Sequence, residues 1–271
     1  MPTANVNGVR LFYELSGKAE IPLVLVHGAW SSHHNFDRVV PGLAKSFRVV
    51  TYDRRGHSQS ERPAGQGRMS KDVADLAALI EHLDIEPVWV VGTSSGANIA
   101  LRLASERLEV LRGVIAHEPG FFSLLESDST FSSMLDKVDQ VKGIVLERIA
   151  TGDHAGAAQY FIEANLGPGG WERTPTQLQQ TYIENAPTFL DDMKDPEHFA
   201  FDPNWFNAYS RPVLLTQGDQ SPPFLAPVVA RLAEALPQAE VVTYTGVGHT
   251  PHNTHPDAYV ELITSFILKH S

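Results

Sequence analysis

The strongest constraint on the fold is a rhythm. Short β-branched runs recur along the chain, separated by amphipathic helical stretches. Residues 22–27 (PLVLVH), 47–52 (FRVVTY), 87–92 (PVWVVG), 111–117 (LRGVIAH), 212–216 (PVLLT) and 239–244 (AEVVTY) form the series. Runs this apolar, with little polar alternation, suit strands covered on both faces. Between them, Val73, Leu76, Ala77, Ile80 and Leu83 recur at helical spacing, as do Ala97, Ala100, Leu101 and Ala104. Two late helices are expected over 226–236 and 257–269. Buried strands alternating with helices predict an α/β protein with a mostly parallel sheet. Before the first of these runs, Asn7-Gly8 sits between two extended segments, a hairpin signal.

One interval breaks the rhythm. From about 121 to 205 no buried strand is visible, only helical segments and loops such as Gly167-Pro168-Gly169-Gly170. So long an excursion reads as a helical insertion over the carboxyl edge of the sheet. The expected division is a core of residues 1–119 and 206–271 with a helical cap at 120–205.

Charge and composition narrow the partners. Against 21 Lys and Arg stand 32 Asp and Glu, a net charge of −11. Such a chain repels phosphate backbones and anionic lipid, so neither nucleic acid nor membrane is an expected partner. With no cysteine, disulfide frameworks, thiol nucleophiles and thiolate metal sites all drop out. No basic, then apolar, leader opens the chain and no run of eighteen apolar residues follows, so a cytoplasmic location is the expectation.

Chemistry concentrates at three places. Gly92-Thr93-Ser94-Ser95-Gly96 matches Gly-x-Ser-x-Gly, between the run 87–92 and an Ala-rich helix. A sharp strand-to-helix turn there exposes the Ser94 hydroxyl, and the helix start offers the Ser95 N–H to a developing anion. An ordinary turn with a serine N-cap would have less reason for small residues on both sides. His27-Gly28-Ala29-Trp30 closes the run 22–27. His249, in Gly246-Val247-Gly248-His249-Thr250, follows the last run and precedes the last helix, where a loop can bring imidazole over the serine. His249, His252 and His255 also form a His-x₂-His-x₂-His string. Pro251 and Pro256 break a helix there and three-residue steps drift around a helix face, so no metal or other cofactor is expected.

Taken together, these motifs resemble the α/β-hydrolase superfamily with a helical cap, over nearly the whole chain. The segment Asp53-Arg54-Arg55-Gly56-His57-Ser58 fits the same pattern, with His57 structural. The resemblance implies an eight-stranded sheet, Ser94 as nucleophile and His249 as base. It also implies an oxyanion hole from the backbone N–H groups of Ala29 and Ser95. Members usually carry the triad acid three residues beyond the glycine after the 212–216 strand. That position is Ser221, which cannot serve. Two carboxylates remain: Asp219, displaced by two residues, and Glu118, which ends the run 111–117. A serine–glutamate–histidine set of this kind resembles zearalenone-type lactone hydrolases. Glu118 is preferred, because it follows a buried run and has the longer reach, while Asp219 sits in a turn stiffened by Pro222-Pro223.

The expected function is then cofactor-independent cleavage of a small apolar ester or lactone through an acyl-enzyme. Rival uses of the same triad are haloperoxidase-like perhydrolysis and cyanohydrin lysis. A hydrolase-fold receptor with little turnover is the rival of another class. A serine at position 94 disfavours dehalogenation and epoxide hydrolysis, whose nucleophile is a carboxylate. The cap aromatics Phe121, Phe122, Phe161, Trp171, Tyr182 and Phe189 suggest an apolar pocket, and Trp30 and Trp171 are the expected substrate contacts.

Overall fold

The computed structural model describes residues 2–64, 67–207 and 209–271; Met1, Gly65, Gln66 and Ala208 lie outside the described residues. Eight strands form one sheet: Thr3–Val6 (β1), Val9–Ser16 (β2), Pro22–Val26 (β3), Arg48–Tyr52 (β4), Val88–Thr93 (β5), Leu111–His117 (β6), Val213–Gly218 (β7) and Ala239–Tyr244 (β8). Their order across the sheet is β1-β2-β4-β3-β5-β6-β7-β8. The Asn7-Gly8 turn closes the β1–β2 hairpin, which adds antiparallel to β4; all pairings from β4 to β8 are parallel. The mostly parallel α/β sheet is therefore the observed architecture.

The helices among the described residues are Val40–Leu43 (α1), Met69–His82 (α2), Ser95–Glu106 (α3), Ser132–Ala150 (α4), His154–Leu166 (α5), Gly170–Arg173 (α6), Thr176–Asp192 (α7), Leu225–Ala235 (α8), Pro251–Thr254 (α9) and Pro256–Lys269 (α10). Each sheet face closes on its own core. On one face Val24, Val90, Val114 and Leu215 meet Leu76, Ile80 and Leu101 from α2 and α3 and Val228 from α8. On the other, Leu25, Trp89, Val91 and Ile115 meet Tyr259, Ile263 and Phe266 from α10. Each fully buried Val, Leu or Ile contributes roughly 1.5–3 kcal/mol, which is why the strand runs carry so few polar residues.

Helices α4 to α7 fall between β6 and β7 and have a cluster of their own, with Val145, Ile149, Ala158, Ile162, Tyr182 and Phe189. One member comes from the sheet side: Trp30, completely buried. Its indole stacks on Phe161 of α5 at 4.9 Å and 11° and leans on Phe189 of α7. Asn185 of α7 adds polar stitching. Its Nδ2 donates to the Trp30 and Ser31 carbonyls, and its Oδ1 accepts from the Ser58 N–H.

Pro251 and Pro256 do not exclude helix from the 249–256 segment. Each occupies the first turn of a helix, where a missing N–H costs nothing.

Candidate active site

Three strand ends carry the polar groups of the site, and all three are bent by residues in the left-handed region. Trp30 follows β3 with φ +67°, Ser94 follows β5 with φ +54°, and Glu118 follows β6 with φ +45°. Non-glycine residues rarely hold such angles, and when they do the surrounding structure must impose them. At Ser94 the imposition is visible. A Cβ on Gly92 would lie 2.2 Å from the Gly96 carbonyl oxygen, and one on Gly96 would lie 2.2 Å from that of Val26. The two glycines let β5, α3 and β3 crowd together, and Ser94 is thrust out at the turn.

Opposite the elbow lies the loop after β3. A Cβ on Gly28 would come within 3.2 Å of the Ser94 Cβ, so this backbone passes directly over the serine. His27 is fully buried, and burial pushes its imidazole down to about 3, leaving it neutral. Its Nε2 accepts from the Arg54 N–H at 3.0 Å, so its Nδ1–H donates to the Gly28 carbonyl at 2.8 Å. That carbonyl shares a planar trans peptide with the Ala29 N–H. Pinning the one to His27 turns the other in the opposite direction.

His249, between β8 and α9, reaches back to β6. Its Nδ1–H donates to Glu118 Oε2 at 2.5 Å, with the carboxylate fully buried and the ring 13% exposed. Glu118 Oε1 accepts the Gly218 N–H at 2.7 Å. Burial alone would raise the Glu118 carboxyl; hydrogen bonds from His117 and His249, with their charge, outweigh it and hold the group well below the usual carboxylate range. His117 braces the other side: its Nε2 lies 3.2 Å from the His249 carbonyl and its Nδ1 lies 2.9 Å from Thr216 Oγ1. Asp219 points elsewhere. Its side chain is exposed and accepts the Gly246 N–H at 2.7 Å.

Ser94 and His249 share the walls of two chambers. The larger, about 330 Å³, is mainly apolar, with Phe122, Phe161, Phe189, Phe199 and Phe224 around it and Ala29 and Ser95 beside the serine. The smaller, about 60 Å³, lies toward the His249 loop and includes Ser31, Tyr182 and His252. Phe161 belongs to both.

The two expected tryptophan contacts need correction, since neither lines either chamber. Trp30 is sealed beneath α5 and α7 and acts through Phe161, which it backs. Trp171 packs on the cluster of α4, α5 and α7, with its backbone N–H donating to Glu163 Oε1. Phe121 is likewise core. His198, not singled out by any motif, does reach the large chamber; burial pushes it down to about 4.

Of the three spaced histidines, His252 is buried and His255 is exposed with its Nδ1 on Thr254. Among the described residues, the group with metal-ligand chemistry is instead His117, Glu118 and His249. There Glu118 is hydrogen-bonded to His249, while His117 is engaged by Thr216 Oγ1 and the His249 carbonyl.

A sequence model described as alpha/beta hydrolase fold matches residues 21–256. The chain belongs to the α/β-hydrolase family. It is 29% identical to a non-heme chloroperoxidase of Streptomyces lividans over 96% of this chain and 97% of that enzyme. An enol-lactonase from Burkholderia xenovorans LB400 superposes with a TM-score of 0.80 at 20% identity, covering 98% of this chain and 100% of the other. An N-acyl homoserine lactone degrading enzyme superposes with a TM-score of 0.79 at 21% identity, covering 98% and 100%. At these identities the two superpositions speak to the fold. No helix among the described residues of this α/β-hydrolase is long and apolar enough to cross a membrane.

Proposed function

We propose that this α/β-hydrolase cleaves small apolar carboxylic esters or lactones through an acyl-enzyme on Ser94, with residues 120–205 serving as the cap over the acyl chain. One observation supports this reading above the others. A serine held in a strained elbow and a histidine fixed by a buried carboxylate open onto the same apolar chamber.

In this reading His249 takes the Ser94 proton at Nε2, because its Nδ1–H is committed to Glu118. Ser94 Oγ attacks the carbonyl carbon, and the oxyanion is met by the N–H groups of Ala29 and Ser95. The imidazolium then returns the proton to the leaving oxygen. Water, activated by the same histidine, releases the acid. Glu118 keeps the ring in the working tautomer and stabilises its charged form throughout.

The likeness to a chloroperoxidase along nearly the whole chain favours a second reading: hydrogen peroxide replaces water in deacylation and the product is a peracid. A panel of p-nitrophenyl esters and aryl lactones, assayed with and without peroxide, tests both readings. Acid release from esters or lactones is expected, with loss of turnover in Ser94→Ala. Peracid as the main product favours the second reading. No acyl release from any substrate overturns both.

A further inference from the structure

Arg54 carries a buried charge that the reaction described above does not use. The residue is 1% exposed, and its Nε and Nη2 donate to the two oxygens of Asp72, in the first turn of α2, at 3.0 and 3.2 Å. Burial works against the charge of the guanidinium, but Asp72 and Asp192 outweigh it and keep the group protonated. A buried ion pair adds little net stability over apolar side chains of the same volume. What this one supplies is direction. With the fork locked on a carboxylate, the remaining nitrogen has a fixed aim, and Nη1 donates to Ser95 Oγ at 3.1 Å.

Ser95 opens α3, where the first N–H groups have no partner within the helix, and it borders the large chamber beside Ser94. A hydrogen bond to its hydroxyl fixes the side chain and, through Cα, restrains the N–H of the same residue. The main chain of Arg54 serves the other donor. Its N–H donates to His27 Nε2 at 3.0 Å, and the opposite ring nitrogen donates to the Gly28 carbonyl at 2.8 Å, in the peptide that carries the Ala29 N–H. The loop and the helix meet close by. A Cβ on Gly96 would lie 2.2 Å from the Val26 carbonyl oxygen and 2.6 Å from that of His27. One residue therefore reaches both donors, Ser95 through its side chain and Ala29 through its main chain and His27.

Resting on the hydrolase reading of Ser94, we infer that Arg54 is the positioning residue of the oxyanion hole. Its main chain sets the Ala29 N–H by way of His27. Its guanidinium, anchored on Asp72, sets the Ser95 N–H by way of the Ser95 hydroxyl. Arg54 lines neither chamber, so it acts through these contacts and not on the substrate. Donors that lose their aim hold a planar carbonyl nearly as well but a tetrahedral oxyanion less well, so the role shows in kcat and not in KM. Every substitution keeps the main-chain N–H, so variants read the guanidinium's half of the brace.

The test is a double-mutant cycle read on p-nitrophenyl butyrate. Ser95→Ala removes the hydroxyl and keeps the N–H, and Arg54→Lys keeps a cation for Asp72 and loses the fork. Each single variant should lower kcat by about tenfold, short of the roughly 10²–10³ lost when a donor is removed outright. KM should stay within about twofold, the mark of an interaction made only in the transition state. Affinity for a phenylalkyl trifluoromethyl ketone, which Ser94 captures as a tetrahedral oxyanion, should fall in proportion to kcat. The double variant should lose hardly more than either single one, since both cut the same link. Losses that multiply in the double variant overturn the proposal, as do an unchanged kcat in folded Ser95→Ala or a rise in KM alone. If Arg54→Lys does not fold, kcat and ketone affinity in Ser95→Ala decide the matter. Absence of turnover on every ester by the unmodified enzyme removes the hydrolase reading itself, and this role with it.

Discussion

Glu118 and His249 stand 131 residues apart in the chain and meet at 2.5 Å, the carboxylate sealed from solvent and the imidazole at the edge of the chambers. The pairing is possible because β6 and β7 are parallel neighbours. The loop leaving β8 folds back over their carboxyl ends, and the Gly218 N–H fixes the second carboxylate oxygen. A glutamate at the end of β6 thus occupies the side of His249 that Asp219, bonded to Gly246, does not reach.

The two carboxylates should therefore respond very differently to amide replacement. Glu118→Gln is expected to lower kcat by roughly three to four decades, the loss seen when an amide upsets the tautomer of a triad histidine. Asp219→Asn should cost less than about tenfold. Steady-state kinetics on both, with circular dichroism to verify folding, makes the comparison. The reverse order of losses would assign the acid to Asp219.

The loop over the serine offers a steric test. Gly28→Ala places a methyl group 3.2 Å from the Ser94 Cβ and the Thr93 carbonyl oxygen, so the loop must retreat by a few tenths of an ångström. The Ala29 N–H retreats with it. A fall in kcat of about ten- to a hundredfold is expected, short of the 10²–10³ lost when an oxyanion donor is removed, with the melting temperature nearly unchanged. Unaltered kcat in a folded variant would mean that this backbone does not serve the oxyanion.

Trp30 should prove structural. Its indole is completely buried against Phe161 and Phe189, so Trp30→Ala is expected to cost about 3–5 kcal/mol in denaturant unfolding. Phe161, lining both chambers, should instead show its loss in substrate selectivity when replaced by alanine. A Trp30→Ala protein as stable as the parent would contradict this packing.

Asp192 sets a pH dependence. Burial, with Asp72, Asp191 and Asp195 nearby, outweighs the attraction of Arg54 and pushes its carboxyl up from 3.8 to about 7. Its Oδ2 has no hydrogen-bond partner. The folded chain thus holds this proton more tightly than the unfolded one. Its contribution is fully present below about pH 4 and is lost as pH rises through 7, a change on the order of a few kcal/mol. Asp192→Asn should accordingly melt higher than the parent at pH 8 and no higher at pH 4. An equal difference at both pH values would show that Asp192 does not titrate in this range.

How much was legible in the sequence follows from how local each feature is. The sheet could be read because each buried strand must be apolar on both faces, and that demand is written in five or six consecutive residues. Ser94 and His249 were legible for a similar reason, since a turn between strand and helix has its own short grammar. Glu118 needed more: the absence of a carboxylate at Ser221 directed attention to the neighbouring strand end. Trp30 was misread because nothing beside it in sequence announces that α5 and α7, more than a hundred residues later, will close over it. His198 was missed for the converse reason, since nothing beside it in sequence says that tertiary packing will make it a pocket wall, whereas Phe161 stands among the aromatics already expected to form a pocket and does line both chambers. Ser95 was credited with its N–H alone, yet its hydroxyl also accepts from Arg54, whose guanidinium is paired with Asp72.

The most direct measurement is covalent labelling of the nucleophile. Treatment with a fluorophosphonate, followed by peptide mass mapping, should place a single adduct on Ser94. Labelling should be abolished in Ser94→Ala and slowed in Glu118→Gln, where the histidine loses its fixed orientation. An adduct on Ser95, Ser31 or any other serine with Ser94 unmodified, or no adduct on the folded enzyme at all, would contradict the assignment of Ser94 and the acyl-enzyme built on it.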